Sequence, residues 1–199
     1  MDNQHNAPNC FENVKMLCLE LYKTDFLSSM NIYDLVNKLM DLDCVLIHHP
    51  VHHFIVPASL LTFCCKINNV PYSTYESYIE EAHKRALNVL GGFCGFYGDC
   101  GAAVGCGIFY SIFMKVSPLN TTCWASANRL TGETLVAMSS VDGPRCCKRG
   151  VFFAIKQAAE FVDKQLDIKI PLPDQIKCRY FYKNAECKKD QCPFYPSKK

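Results

Sequence analysis

The distribution of glycine is the feature that most restricts how this chain can fold. The sequence contains ten glycines, and none of them precedes Gly91. Seven lie between Gly91 and Gly107, in the segment GGFCGFYGDCGAAVGCG. Glycine lets the backbone leave regular geometry, so the first 90 residues are free to form uninterrupted elements and irregular backbone is expected in one place.

Apolar residues on both sides of this segment recur at spacings of three and four, which is the period of an α-helix. The pattern predicts helices over 11–22, 32–42 and 54–66, and one that starts at Ser73 or Thr74 and runs to about Leu90. Two more are predicted over 123–138 and 144–166, with Pro144 in the first turn of the last helix. Only 168–172 has the composition of a strand. The chain is therefore predicted to be all-α.

The end of the chain differs in charge from the rest. Residues 177–199 hold seven basic and two acidic side chains, whereas the whole chain has a net charge of only +2. Pro171 and Pro173 indicate a linker in front of this segment. We expect one helical, cysteine-rich domain over 1–170 and a basic, three-cysteine tail over 171–199, which packs on the domain as a small knuckle.

Whether the fourteen cysteines are free thiols or disulfides depends on the compartment in which the protein resides. The chain opens MDNQHNAPNC, without the basic and apolar regions of a secretory signal, so we expect reduced thiols in a cytoplasmic protein. The longest uncharged apolar stretch, 100–114, is shorter than the roughly 20 residues that a membrane span needs. The small net charge argues against a nucleic-acid partner.

The glycine-rich segment carries the first group of candidate ligands. Cys94, Cys100 and Cys106 are six residues apart, and an unbroken helix would turn them to different faces. A loop shaped by glycine could present these thiolates and backbone N–H groups to an iron–sulfur cluster. The alternative is a small-residue helix that packs tightly, with the cysteines as buried apolar side chains. Asp99 is a candidate proton shuttle beside a metal, or the N-cap of a helix that starts at Cys100.

A second group lies in DGPRCCKRG, residues 142–150. Pro144 predicts that Cys146 and Cys147 stand in the first turn of a helix, where the helix dipole and three basic neighbours favour a thiolate. At least one of the pair is predicted to be reactive or metal-bound. The alternative is two small core residues beside a solvated basic turn.

The tail holds the third group, Cys178, Cys187 and Cys192. The spacing of its cysteines is similar to that of the Cys-Cys-Cys-His zinc knuckle. However, the last spacer is one residue short, and Pro196 stands where the histidine belongs. Either the body supplies a fourth ligand or these thiols belong to a larger cluster. The aromatic residues between them are predicted to form a miniature core rather than a surface for base stacking.

Four histidines in IHHPVHHF form the fourth candidate. Pro50 prevents a continuous helix through all of them. His52 and His53 lead into the apolar segment FIVPASLL, which would position them as a base or as ligands. A simple polar turn is the alternative.

Four motifs of the chain form a combined pattern: HHFIVPASLL, GFCGFYGDCGAAVGCGIF, the following SPL with Trp124 and Asn128, and GPRCCKR. This pattern resembles a cysteine-rich domain family of unknown function from anaerobic archaea and bacteria. The resemblance runs from about His48 to the end of the chain. In that family the domain stands alone or is joined to methyltransferase-like modules, which implies anaerobic metabolism and a redox or methyltransferase-like partner. It also implies that the site cysteines are Cys94, Cys100, Cys146, Cys147 and those of the tail, and not Cys10, Cys18, Cys44, Cys64 and Cys65.

Two hypotheses follow from these motifs. The first is an iron–sulfur protein of anaerobic redox, sulfur or cofactor metabolism, either an enzyme with an open iron or a carrier of electrons or sulfur. The second is a zinc-stabilised interaction module whose tail contacts RNA or a protein. The candidate catalytic residues are Asp99, His52 and His53. The candidate metal ligands are Cys94, Cys100, Cys106, Cys146, Cys147, Cys178, Cys187 and Cys192. We expect the three cysteine segments to converge on one site, with some thiols left over or a second metal present.

Overall fold

The computed structural model describes residues 7–196, and within this range the protein is all-α, which confirms the fold class. The helices are α1 (Ala7–Tyr22), α2 (Ile32–Met40), α3 (His52–Ile67), α4 (Tyr72–Leu87), α5 (Phe93–Phe96), α6 (Gly101–Phe113), α7 (Trp124–Met138) and α8 (Cys147–Leu166). Short 3-10 turns occur at Phe26–Ser28, Phe181–Lys183 and Lys189–Gln191. No described helix combines the length and the apolar character that crossing a membrane requires.

Three local predictions were wrong. Helix α4 begins at Tyr72 with Pro71 as its N-cap, so neither Ser73 nor Thr74 caps it. Helix α8 begins at Cys147 with Cys146 as its N-cap, so Pro144 precedes the helix instead of lying in its first turn. No strand forms at 168–172 in the described chain. A strand needs a neighbouring strand, and here the backbone bonds to the start of α2 instead (Ile32 N to Pro171 O, 3.1 Å).

Helix α3 lies at the centre of the fold. Its residues 52–65 are all buried, which is the property of a helix surrounded by other elements. Helices α1, α2, α4, α6 and α8 all pack against it. Thr62 is a buried polar residue of this helix with satisfied hydrogen bonds, since its Oγ1 donates to the Ala58 carbonyl (2.7 Å) and shares a hydrogen bond with the Tyr75 hydroxyl (2.8 Å).

The glycines of α6 permit a very close approach to α3. A Cβ atom on Gly105 would lie 2.9 Å from the His53 carbonyl oxygen and 3.0 Å from Pro57 Cδ, and one on Gly101 would overlap the His53 ring. The tight-packing interpretation of the glycine-rich segment is therefore correct for α6. Within the glycine-rich segment 91–107, irregular backbone is limited to the residues before α6, where Gly92 and Gly98 have positive φ angles.

The tail packs on α2 and α8 without an α-helix of its own. The ring of Phe194 lies against Phe152 and Phe153, with centroids 5.5 and 4.9 Å apart. The Tyr180 hydroxyl donates to the Asn37 carbonyl (3.1 Å) at the end of α2. Arg179 forms an ion pair with Asp41. Aromatic packing and polar contacts thus hold the tail on the helical body.

One pair of cysteines departs from the expected reduced state. Cys10 in α1 and Cys44 after α2 form a disulfide, with Cα atoms 5.5 Å apart. The other twelve cysteines are free thiols. The disulfide pair lies among the cysteines that the motif resemblance sets outside the site.

We expect Gly105→Ala to destabilise the protein by about 1–3 kcal/mol, because the added methyl group meets backbone and proline atoms that cannot yield easily. Gly132→Ala is the matched control in α7, where a Cβ meets nothing within 4 Å. Alanine forms helix better than glycine, so this control should stabilise by about 0.5–1 kcal/mol. Urea denaturation measures both changes. Equal effects of the two substitutions would contradict the close contact of α6 with α3.

Candidate functional site

Two of the three cysteine segments and the histidine cluster surround one cavity of about 210 Å³, which we call the body cavity. It lies where the start of α3, the loop before α6 and the start of α8 meet. The titratable and charged residues that line it are His48, His49, His52, His53, Cys94, Cys100, Arg145, Cys146, Cys147 and Arg149. Chain segments far apart in sequence therefore contribute to one site.

The ends of helices position the cysteines of this cavity. Cys94 lies in the single turn of α5, which follows Gly92 in the left-handed conformation. Cys100 is the N-cap of α6, and Cys147 is the first residue of α8. A Cβ atom on Gly150 would lie only 3.4 Å from the Cys100 sulfur, so the absence of a side chain there lets α8 come close to the thiol.

Backbone carbonyl groups fix the orientation of His52 and His53. His52 Nδ1 lies 2.8 Å from the His49 oxygen, and His53 Nδ1 lies 3.0 Å from the Val89 oxygen. A carbonyl oxygen only accepts, so both Nδ1 atoms carry the proton and both Nε2 atoms carry a lone pair. His52 Nε2 is buried and has no hydrogen-bond partner. Burial also holds the pKa of His52 well below its usual value, so the ring is neutral.

Burial controls the cavity thiols as well. It raises the pKa of Cys147 to about 11, and it raises the pKa of Cys100 although the N–H groups of Ala102 and Ala103 act in the opposite direction. The thiolate that we expected at the start of α8 is therefore not favoured in the chain by itself, because burial outweighs the helix dipole and the basic neighbours. A positive partner in the cavity would reverse this balance.

The three tail cysteines lie beside a second, smaller cavity of about 20 Å³, the tail cavity, which Cys146 also lines. The backbone N–H groups of Tyr180 and Lys189 donate to the sulfurs of Cys178 and Cys187, each at 3.4 Å. The side-chain amide of Asn184 donates to Cys146 (3.6 Å). The neighbouring residues Cys146 and Cys147 thus connect the two cavities.

The three segments surround two adjacent cavities instead of the one expected site. Over residues 7–196, no group of three or more histidine, cysteine, aspartate and glutamate side chains is arranged so that it could hold a metal ion. The ligand role of the eight candidate cysteines therefore stays a prediction.

Cys106 and Asp99 line neither cavity. Cys106 is fully buried in the core and its thiol donates to the Ala154 carbonyl (3.4 Å). Asp99 lies in an outer groove with Ser111 and Thr131, and burial raises its pKa. It is not the N-cap of α6 either, since Cys100 holds that position. The structure does not bring these two candidates to the other site residues.

Lys148 is the site residue whose position the sequence analysis missed. The favoured interpretation made it a basic neighbour of the thiolate, and the alternative placed it on a solvated turn, but its side chain is 1% exposed. Its Nζ donates to the carbonyl groups of Met40 (3.2 Å) and Val45 (3.5 Å), and burial lowers its pKa to about 8. The spacing could have revealed this, because Lys148 stands four residues before Phe152 on the apolar face of α8.

The fold is all-α, and cysteines and histidines at helix ends line its cavity. These two features define a class of cysteine-rich helical proteins. The chain belongs to a family of unknown function, DUF5714, whose sequence profile matches residues 16–195. This match starts closer to the N-terminus than the motifs near His48 suggested. No curated protein and no solved structure matches the chain.

Thiol labelling tests the two burial classes. In the reduced, metal-free protein, Cys18, Cys64 and Cys106 are fully buried and should react with iodoacetamide only after unfolding. Cys94 and Cys187 are partly exposed and should react in the folded state, at least about tenfold faster. Mass spectrometry after a short pulse of iodoacetamide measures the labelled fraction of each cysteine. Rapid labelling of Cys106 in the folded protein would contradict its place in the core.

Proposed function

We propose that the protein binds an iron–sulfur cluster in the body cavity through Cys94, Cys100 and Cys147. One observation carries this proposal. Three thiols from three separate elements surround the same cavity as His52, whose free ring nitrogen is buried and neutral. Cysteine thiolates are the usual ligands of iron–sulfur clusters, and three of them leave one iron of a [4Fe–4S] cluster without a protein ligand.

The size and lining of the cavity support this choice. Its volume of about 210 Å³ is below the roughly 300–1,000 Å³ of pockets for drug-sized ligands, so a compact inorganic group with a small substrate is the better match. Gly101 lets the ring of His53 lie against α6, and Gly150 lets α8 lie close to the Cys100 sulfur, so these two glycines bring residues of the cavity together. The amides of Ala102 and Ala103 face the Cys100 sulfur and favour its thiolate.

The other residues of the cavity would serve a substrate. A bound cluster supplies electron transfer and, at an iron without a protein ligand, a Lewis-acid site. His52 and His53 would each accept a hydrogen bond from the substrate at Nε2, because their Nδ1 atoms donate to carbonyl groups. Arg145 lies exposed at the cavity and would attract an anion. Asp99 has no part in this proposal because it lies outside the cavity.

The biological setting is part of the same proposal. From the motif resemblance we infer oxygen-sensitive redox, sulfur or cofactor metabolism in the cytoplasm, with a redox or methyltransferase-like protein as partner. Tyr180 and Phe194 are buried, so they are not available to stack on bases. Tyr182 of the same segment is 70% exposed, so the absence of a nucleic-acid partner stays a prediction from the small net charge.

Anaerobic reconstitution with iron and sulfide tests the cluster. The wild-type protein should bind iron and acid-labile sulfide in equal amounts and show visible absorbance that dithionite bleaches. We expect Cys100→Ser and Cys147→Ser to lower bound iron by about tenfold or more, because each removes a ligand. Iron analysis and absorbance spectra provide the measurement.

Cys123→Ser is the matched control, since Cys123 is also partly exposed but lines neither cavity. This variant should keep its iron. Reconstituted wild-type protein without iron, or equal iron loss in Cys123→Ser and Cys147→Ser, would refute the proposed function.

A further inference from the structure

We propose that the tail holds a second metal site, in which one tetrahedral zinc ion is bound by Cys146, Cys178, Cys187 and Cys192. This site shares no ligand with the cluster of the proposed function and does not depend on it. It would pin the tail to the first turn of α8.

The four thiols come from both sides of the contact between tail and body. Cys146 is the N-cap of α8, while the other three lie in the loops of the tail, and all four line the tail cavity. Four thiolates are a common ligand set of structural zinc sites. The sequence leaves the zinc knuckle of the tail one ligand short, and the structure brings Cys146 of the body to that place.

Hydrogen bonds to the sulfurs support a metal–thiolate site. The backbone amides of Tyr180 and Lys189 donate to Cys178 and Cys187, and Asn184 donates to Cys146. Donors of this kind favour the thiolate over the thiol and orient the ligand. The described side chains are not yet arranged around a metal, so zinc would have to draw the four half-buried sulfurs inward to a common centre.

The volume of the cavity selects a single ion. About 20 Å³ accommodates one particle of the size of a water molecule. An iron–sulfur cluster with several iron and sulfide atoms does not fit there. The larger body cavity and the smaller tail cavity therefore call for different occupants.

Charge gives an independent argument. Lys148 lines the tail cavity, is 1% exposed, and has two backbone carbonyl groups as its acceptors. No carboxylate of the described chain lies within ion-pair distance of it, and Asp41, the carboxylate whose charge acts on it, already forms an ion pair with Arg179. A buried ammonium group without a direct anionic partner is unfavourable. A zinc ion with four thiolates carries two negative charges. That complex would supply the anion that Lys148 lacks, with Arg149 as a second neighbour.

Metal analysis and cobalt substitution test the site. Wild-type protein purified with zinc should hold one tightly bound zinc per chain, and Co²⁺ in its place should show the intense thiolate charge-transfer absorption of tetrahedral coordination. Cys146→Ser and Cys187→Ser should weaken zinc binding by about 100-fold or more, yet keep the iron of the body cavity. Cys147→Ser should lose the iron of the body cavity and keep zinc, and Cys123→Ser should keep both metals.

These variants separate the two proposals. If the wild-type protein binds zinc but no iron, the cluster proposal alone is refuted. If folded wild-type protein shows no thiolate-bound Co²⁺, the tail-site proposal alone is refuted. Equal zinc loss in Cys146→Ser and Cys147→Ser would also overturn the tail site, because it would merge the two ligand sets. Titration of the wild type with Co²⁺ keeps the test decisive if a variant fails to fold.

Lys148→Met tests the charge argument. Methionine keeps the buried volume but removes the cation, so we expect zinc affinity to fall by about 10- to 100-fold, as it does when groups around metal ligands are lost. Lys156→Met is the control on the exposed side of α8 and should leave zinc affinity unchanged. Unchanged affinity in Lys148→Met would contradict the pairing of this lysine with a metal–thiolate complex.

Discussion

The close contact between α6 and α3 is the interaction on which the site depends. It is possible only because Gly101 and Gly105 have no side chains at the points where α6 crosses His53. The same contact holds Cys100 at the start of α6 beside the histidines at the start of α3. A larger residue at either glycine would displace both the Cys100 thiol and the His53 imidazole. The packing of the two helices and the geometry of the site therefore depend on the same residues.

The start of α8 is the second point at which packing and chemistry coincide. Adjacent residues on a helix point in different directions, and here Cys147 lines only the body cavity, whereas Cys146 lines both cavities and its sulfur accepts a hydrogen bond from Asn184 of the tail. If both proposals hold, this division would account for the thiols beyond those that one cluster needs. It also links the two cavities through a single peptide unit, so the position of the tail and the shape of the body cavity are not independent.

The helices were predictable because the apolar period is a local property of the sequence, and the all-α fold follows from it. The contents of the site were only partly predictable. Cys94, Cys100 and Cys147 were chosen from their neighbours and do meet, but Cys106 was chosen with them and does not. Once 101–113 is a helix, a residue six positions after Cys100 turns to another face. Asp99 was misjudged for a similar reason, since α6 starts one residue later than its capping role required.

Lys148 shows what the sequence could not supply. Its spacing along α8 places it on the apolar face, but only the tertiary structure shows that the tail covers it and that its acceptors are backbone carbonyl groups from 40 and 45. Lysine is rarely buried without a partner, because removing the ammonium group from water is unfavourable. Burial raises the pKa of Cys178 in the tail cavity to about 11, which favours its neutral thiol. A metal bound by the tail cysteines, as proposed above, would convert such thiols to thiolates and would place negative charge beside the buried cation.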